Sequence, residues 1–199
     1  VYGAAEMAAS YGTVTPVPAD RVLETSDGMV LAVGGRELRF ADTPGHAKHH
    51  HCIWDAASRG WFTGDTFGLS YREFDTARGA WLIPTSTPVQ FEPDALRRSV
   101  ERLLAEEPAC MYLTHYGRVT DVARLGALFL GLLDRMVALG ASVRGAPDRH
   151  AALKAGLLAI YVDSLARHEC TLDEATIARL LALDIELNAQ GMGIWLDRS

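Results

Sequence analysis

The stretch Arg36-Glu37-Leu38-Arg39-Phe40-Ala41-Asp42-Thr43-Pro44-Gly45-His46 decides how this chain is read. Its Glu37 to Ala41 portion alternates as a strand does, and a Pro-Gly turn then delivers an imidazole. Two further apolar runs end in the same way. Gly60-Trp61-Phe62-Thr63-Gly64-Asp65 closes on a carboxylate, and Cys110-Met111-Tyr112-Leu113-Thr114-His115 on a second imidazole. Open α/β sheets collect their chemistry at strand ends, where loops leave the scaffold and side chains converge. Two imidazoles and a carboxylate are the donor set of a divalent metal such as zinc, iron or manganese. Singly, each has a plainer reading: a turn histidine is usually solvated, and Gly64-Asp65-Thr66 suits an aspartate bonding its own backbone.

Together, Thr43-Pro44-Gly45-His46, Thr63-Gly64-Asp65-Thr66 and Thr114-His115-Tyr116-Gly117 resemble the third, fourth and fifth motifs of the metallo-β-lactamase-fold superfamily. They stand in the family order, with family-like spacing, over residues 28–120. The resemblance implies an α/β protein, part of an αβ/βα sandwich with a metal site at one edge of its two sheets. It further implies that His46 binds a first metal, Asp65 bridges two metals and His115 binds the second. The activity implied is that of a metallo-hydrolase, with metal-bound hydroxide attacking the carbonyl of an ester, lactone or thioester-like small molecule. Zinc is the metal expected, as one or two ions in a complete site, with iron and manganese as alternatives. Two rivals stand beside this reading: an iron-dependent oxidoreductase of the same fold, and a degenerate, non-catalytic metal-binding module.

Thr43, Thr66 and Thr114 read as hydrogen-bonding residues that orient the ligands. His50, four residues after His46, belongs at the rim of the site, touching a ligand or substrate rather than a metal. Neighbours on an extended backbone point to opposite faces, so His49, His50 and His51 cannot all serve one ion. His150 and His168 fall on expected helices and read as structural or exposed.

The sequence departs from the family at its signature, His-x-His-x-Asp-His, which lies upstream and supplies up to four ligands. Here His49 and His51 are followed by Ile53-Trp54 instead. We therefore read residues 1–120 as the C-terminal portion of a metallo-β-lactamase-like domain, a fragment of a longer protein, and residues 121–199 as a helical C-terminal region. By this reading the isolated chain holds at most one weakly bound ion and leaves apolar sheet surface uncovered.

With 199 residues, 49% of them hydrophobic, the chain can bury a core. A net charge of −6 argues against nucleic acid, which requires a basic face. No apolar run reaches the ~18 residues that span a bilayer. Cys52, Cys110 and Cys170 are odd in number and far apart, which suits reduced thiols and a cytoplasmic location.

Along the chain, residues 1–27 read as a helix end and a Pro-punctuated connector. Strands are expected at Met29 to Val33 and Glu37 to Ala41, joined by Gly34-Gly35, then at His50 to Trp54 and Trp61 to Thr63 in a small antiparallel sheet. The aromatic stretch Thr66 to Glu92 has no period, and is either a pocket wall or lid, or a loop with its aromatics buried on the core. A helix starts at Pro93, and a strand at Met111 to Leu113 leads to His115. Apolar residues at three- and four-residue intervals then give a long helix from Val122, followed by Arg149 to Arg167 and Leu172 to Asn188. Leu125, Phe129, Leu132, Leu157, Tyr161 and Leu180 are the expected packing stripe, and Thr171 to Glu174 reads as a capping box. Such a tail could cover the sheet, line the substrate entrance or form the contact of a homo-oligomer.

Overall fold

Alternating residues flanking Gly34 and Gly35, both at positive φ (57° and 81°), form the hairpin that starts the sheet. In the computed structural model, which describes residues 8, 12–88 and 90–198, β1 (Val30–Val33) pairs antiparallel with β2 (Arg36–Asp42). The expected N-terminal helix end lies almost entirely outside the described residues. β2 is followed by β3 (His51–Asp55), β4 (Gly60–Gly64), β5 (Cys110–Leu113) and β6 (Gly117–Val119), and the strands lie side by side in sequence order. β1 to β4 pair antiparallel as expected, and the six-stranded sheet as a whole is mixed because β5 runs parallel to β4. A parallel pair needs a long crossover, and residues 65–109 provide it. β6, too short for a periodic signal, was not expected.

The crossover carries helix α1 (Pro93–Leu104), with Pro93 in its first turn and Leu96, Val100 and Leu103 buried. Four more helices follow: α2 (Val122–Val143), α3 (Arg149–Arg167), α4 (Glu174–Leu180) and α5 (Ala182–Arg198). The last two correct the single helix expected over Leu172 to Asn188. Leu181 leaves helical geometry at φ −95° and ψ 9° and is fully buried. No Gly or Pro announces this break, so packing rather than local preference sets it. The capping box is also corrected: the N-cap is Asp173, whose Oδ1 accepts from the Thr176 N–H at 2.8 Å. Leu125, Phe129, Leu132, Leu157 and Tyr161 are buried as expected. Leu180 is only partly buried, because the break at Leu181 gives the core positions to Ile177 and Leu181.

The helices cover one sheet face. Ala41, Cys52, Trp61, Met111 and Leu113 point into the core beneath them, and the Trp61 indole N–H donates to the Leu103 carbonyl at 3.2 Å. The long irregular stretch proves to be mainly core: Phe67, Phe74, Trp81 and Phe91 are almost wholly buried. Four others, Leu69, Tyr71, Thr85 and Ser86, line a pocket, so both readings of this stretch hold in part. All three cysteines are free thiols, and among the described residues no helix is long and apolar enough to cross a membrane.

Candidate metal centre

His46 follows a glycine that cannot be replaced without cost. Gly45 sits at φ 128°, and a Cβ there would lie 2.1 Å from the Leu96 backbone nitrogen, where α1 presses on the turn. The Ser99 hydroxyl of α1 donates to the Pro44 carbonyl at 2.7 Å, fixing the same turn. The ring that emerges is mostly buried, and its Nδ1 lies 3.1 Å from the carbonyl of Thr85. A carbonyl only accepts, so Nδ1 carries the proton and Nε2 offers a lone pair. Burial holds this imidazole below its ordinary pKa, which keeps it neutral.

That lone pair faces Oδ2 of Asp65 at 3.5 Å, while Oδ1 of the same carboxylate faces Nε2 of His115 at 3.6 Å. The three residues named from strand ends are thus brought together around one carboxylate. Oδ1 of Asp65 is buried and has no hydrogen-bond partner. A lone pair aimed at an anion, and a shielded carboxylate oxygen with no donor, are each unfavourable as they stand. A cation beside each oxygen would relieve both. Two donors at ~2.1 Å from one ion lie about 3.4 Å apart at the tetrahedral angle, close to the separations here. The residues therefore fit a divalent metal in their chemistry. The arrangement is two imidazole–carboxylate pairs sharing Asp65; among the described residues no three His, Cys, Asp or Glu close on a single ion position.

Asp65 is held from behind by His50. The Asp65 N–H donates to His50 Nε2 at 3.0 Å, which leaves Nδ1 of His50 to carry its proton, 3.0 Å from the Thr66 hydroxyl. Burial, then the neighbouring His46, pushes His50 down to about 4, so it is a neutral positioning group. Its ring lies against Gly64, where a Cβ would come within 2.4 Å of it. Thr43 and Thr66 are both buried, with hydroxyls 3.2 Å apart, and complete this support. Thr114 is exposed, and its backbone N–H donates to the Gly64 carbonyl at 3.4 Å, so its contribution is through the main chain.

Several participants come from segments without a recognisable pattern. The Thr85 hydroxyl donates to the Asp65 carbonyl at 3.2 Å, so one residue ties the loops of His46 and Asp65 together. Asn188 of α5 anchors that strap, accepting from the Ser86 N–H at 2.8 Å and donating to the Pro84 carbonyl at 3.1 Å. Arg72 donates to the carbonyls of Tyr116 and Arg118 at 2.7 and 2.9 Å, bracing the left-handed Tyr116 beside His115. A cavity of about 300 Å³ opens over the three residues, with walls of Leu69, Tyr71, Tyr116, Leu183 and Leu187. At its edge the Tyr71 hydroxyl donates to Asp184 at 2.6 Å, and burial raises the pKa of both groups. Adjacent spacing signals none of these contacts; only the aromatic content of the loop hinted at them.

Residues 2–115 match the family model of the metallo-beta-lactamase superfamily. The chain belongs to that superfamily. An uncharacterized protein of Aquifex aeolicus (strain VF5) is 32% identical to it over 114 residues, covering 56% of this chain and 48% of that protein. The metallo-beta-lactamase fold-containing protein ST1585 of Sulfurisphaera tokodaii is 29% identical over 101 residues, covering 51% of this chain and 35% of the relative. This metallo-beta-lactamase superfamily chain thus spans half or less of the curated relatives it matches. In fold it is similar to the crystal structure of an archaeal superfamily protein from Sulfolobus tokodaii, at a TM-score of 0.56 and 20% identity. That match covers 98% of this chain and 59% of the other. A family protein from Thermus thermophilus is similar at a TM-score of 0.51 and 23% identity, over 81% of this chain and 49% of that one.

Proposed function

We propose that this chain carries the imidazole–carboxylate–imidazole part of a metal-dependent hydrolase site, with His46, Asp65 and His115 as ligands. One observation supports this most directly: the buried, unpartnered Oδ1 of Asp65, set between two imidazoles whose ring nitrogens face its carboxylate. A divalent cation bound there, zinc first among candidates, would polarise a carbonyl and lower the pKa of a coordinated water. The chain's own residues do the rest. Thr85 fixes the His46 tautomer, His50 fixes the Asp65 backbone, and Leu69, Leu183, Leu187 and the two tyrosines give the cavity an apolar side. Such walls suit a small ester, lactone or thioester with an apolar part.

Among the described residues no three donors close on one ion position, which favours a second reading, a module that holds metal without turnover. One experiment separates the two. The chain is stripped of metal, titrated with Zn²⁺, Mn²⁺ or Fe²⁺, and assayed on an ester, lactone and thioester panel. Retained metal that is lost in Asp65→Asn and His46→Ala is the expected result, and metal-dependent hydrolysis beside it selects the hydrolase. Retention without hydrolysis selects the binding module. Metal retention unchanged in both variants would show that these residues are not the ligands.

A further inference from the structure

We propose that the cleft between α2, α3 and the Thr76–Trp81 loop is a second binding site, for a small organic oxyanion with an apolar body. The cleft measures about 350 Å³. Arg78, Arg124, Arg135, Arg167 and His168 line it, and no Asp or Glu does, in a chain whose net charge is −6. It shares no residue with the cavity over Asp65.

The guanidinium groups are held from outside the cleft. Arg124 pairs with Asp121 at 2.5 Å and donates to the Ala80 carbonyl at 3.0 Å. Arg78 pairs with Glu169 at 3.1 Å. Arg135 and Arg167 both lean on Asp163, at 2.7 and 2.8 Å. Three carboxylates therefore serve four guanidiniums, leaving positive charge uncompensated where the cleft is open. Each guanidinium has five N–H donors in a planar fork, and the contacts above use only some of them. Arg124, held by both a carboxylate and a backbone carbonyl, loses little freedom on binding, so a ligand gains more of its hydrogen bonds.

The floor is apolar and has room. Leu128 and Leu132 of α2 flank Gly131, where an added Cβ would meet nothing within 4 Å. Trp81 forms the far wall, its indole N–H donating to Ser164 at 3.0 Å. A rim of guanidinium forks over an apolar floor matches a carboxylate or phosphoryl group attached to a hydrocarbon or ring.

Calorimetric titration of the chain with phenyl phosphate, benzoate and benzyl alcohol tests this. One equivalent of either anion should bind saturably with Kd below about 1 mM, weakening as salt rises, while benzyl alcohol does not bind. The tighter of the two anions identifies the headgroup. Arg135→Gln should weaken binding about tenfold, the loss of one charge-assisted contact. Gly131→Glu, which places a carboxylate in open space on a helix, should abolish binding without lowering the melting temperature. Asp65→Asn should leave it unchanged, which keeps this result separate from that of the metal centre. Equal binding of the alcohol, binding unaffected by Gly131→Glu, or binding lost in Asp65→Asn would overturn the proposal.

Discussion

At the scale of single residues, two glycines show how closely this site is set by backbone geometry. Gly45→Ala would bring a left-handed backbone and a Cβ collision with α1 together. Strain and overpacking sum to about 3 kcal/mol, read as a lower denaturant midpoint at constant slope. Gly34→Ala, also at positive φ but with open space around it, should cost only ~1–2 kcal/mol. Equal losses would show that α1 yields at the turn. His50 supplies a second contrast, because it holds Asp65 without facing the shared carboxylate. His50→Ala should weaken Zn²⁺ binding about ten- to a hundredfold, as loss of an outer partner does. A loss as complete as that of Asp65→Asn would make His50 a ligand instead. That His46, Asp65 and His115 come together was legible in the sequence because each follows a short strand in its own motif. Thr85, Arg72, Asp184 and Asn188 were not, since the fold brings them in from irregular or helical segments.

At the scale of elements, strands and most helices were legible wherever one face is buried and the period is local. The helix from Arg149 to Arg167 is of this kind, whereas the hairpin at Gly34-Gly35 was legible from its turn glycines, since β1 buries no residue. The break at Leu181 and strand β6 were not, because contacts with distant segments decide them. The cap of α4 distinguishes the two readings of its start. Asp173→Ala should cost about 1 kcal/mol, and Thr171→Ala only a few tenths. Thermal melts of both would detect the reverse order, which would restore the capping box. Asn188 tests how the tail serves the site. Asn188→Leu leaves the Ser86 N–H buried without a partner, a loss of about 1–3 kcal/mol. If the strap over His46 depends on this anchor, Zn²⁺ affinity should fall as well. A stability loss with unchanged affinity would make Asn188 purely structural.

At the scale of the whole molecule, the helices cover one face of the sheet, and among the described residues no helix covers the other. Leu38, Phe40, Ile53, Phe62 and Tyr112 succeed one another across strands β2 to β5 on that side, as the register requires. Phe40 is buried, but Leu38, Ile53 and Tyr112 are only partly so, and Phe62 is 45% exposed, with its ring stacked on Tyr112 at 4.7 Å. None of these residues joins the core under the helices. A contiguous apolar strip across several strands is more than the scattered exposure normal for a monomer, and water is a poor partner for it. In isolation, two copies of this chain would cover the strip by placing these faces together, much as sheets stack about 10 Å apart. Sedimentation should then show concentration-dependent self-association that strengthens with salt, since its driving force is apolar. Phe62→Ser should shift the chain toward monomer without lowering its melting temperature, because that side chain contributes little to the core. A chain that stays monomeric at every concentration, or self-association that Phe62→Ser leaves intact, would show that this face is not where copies meet.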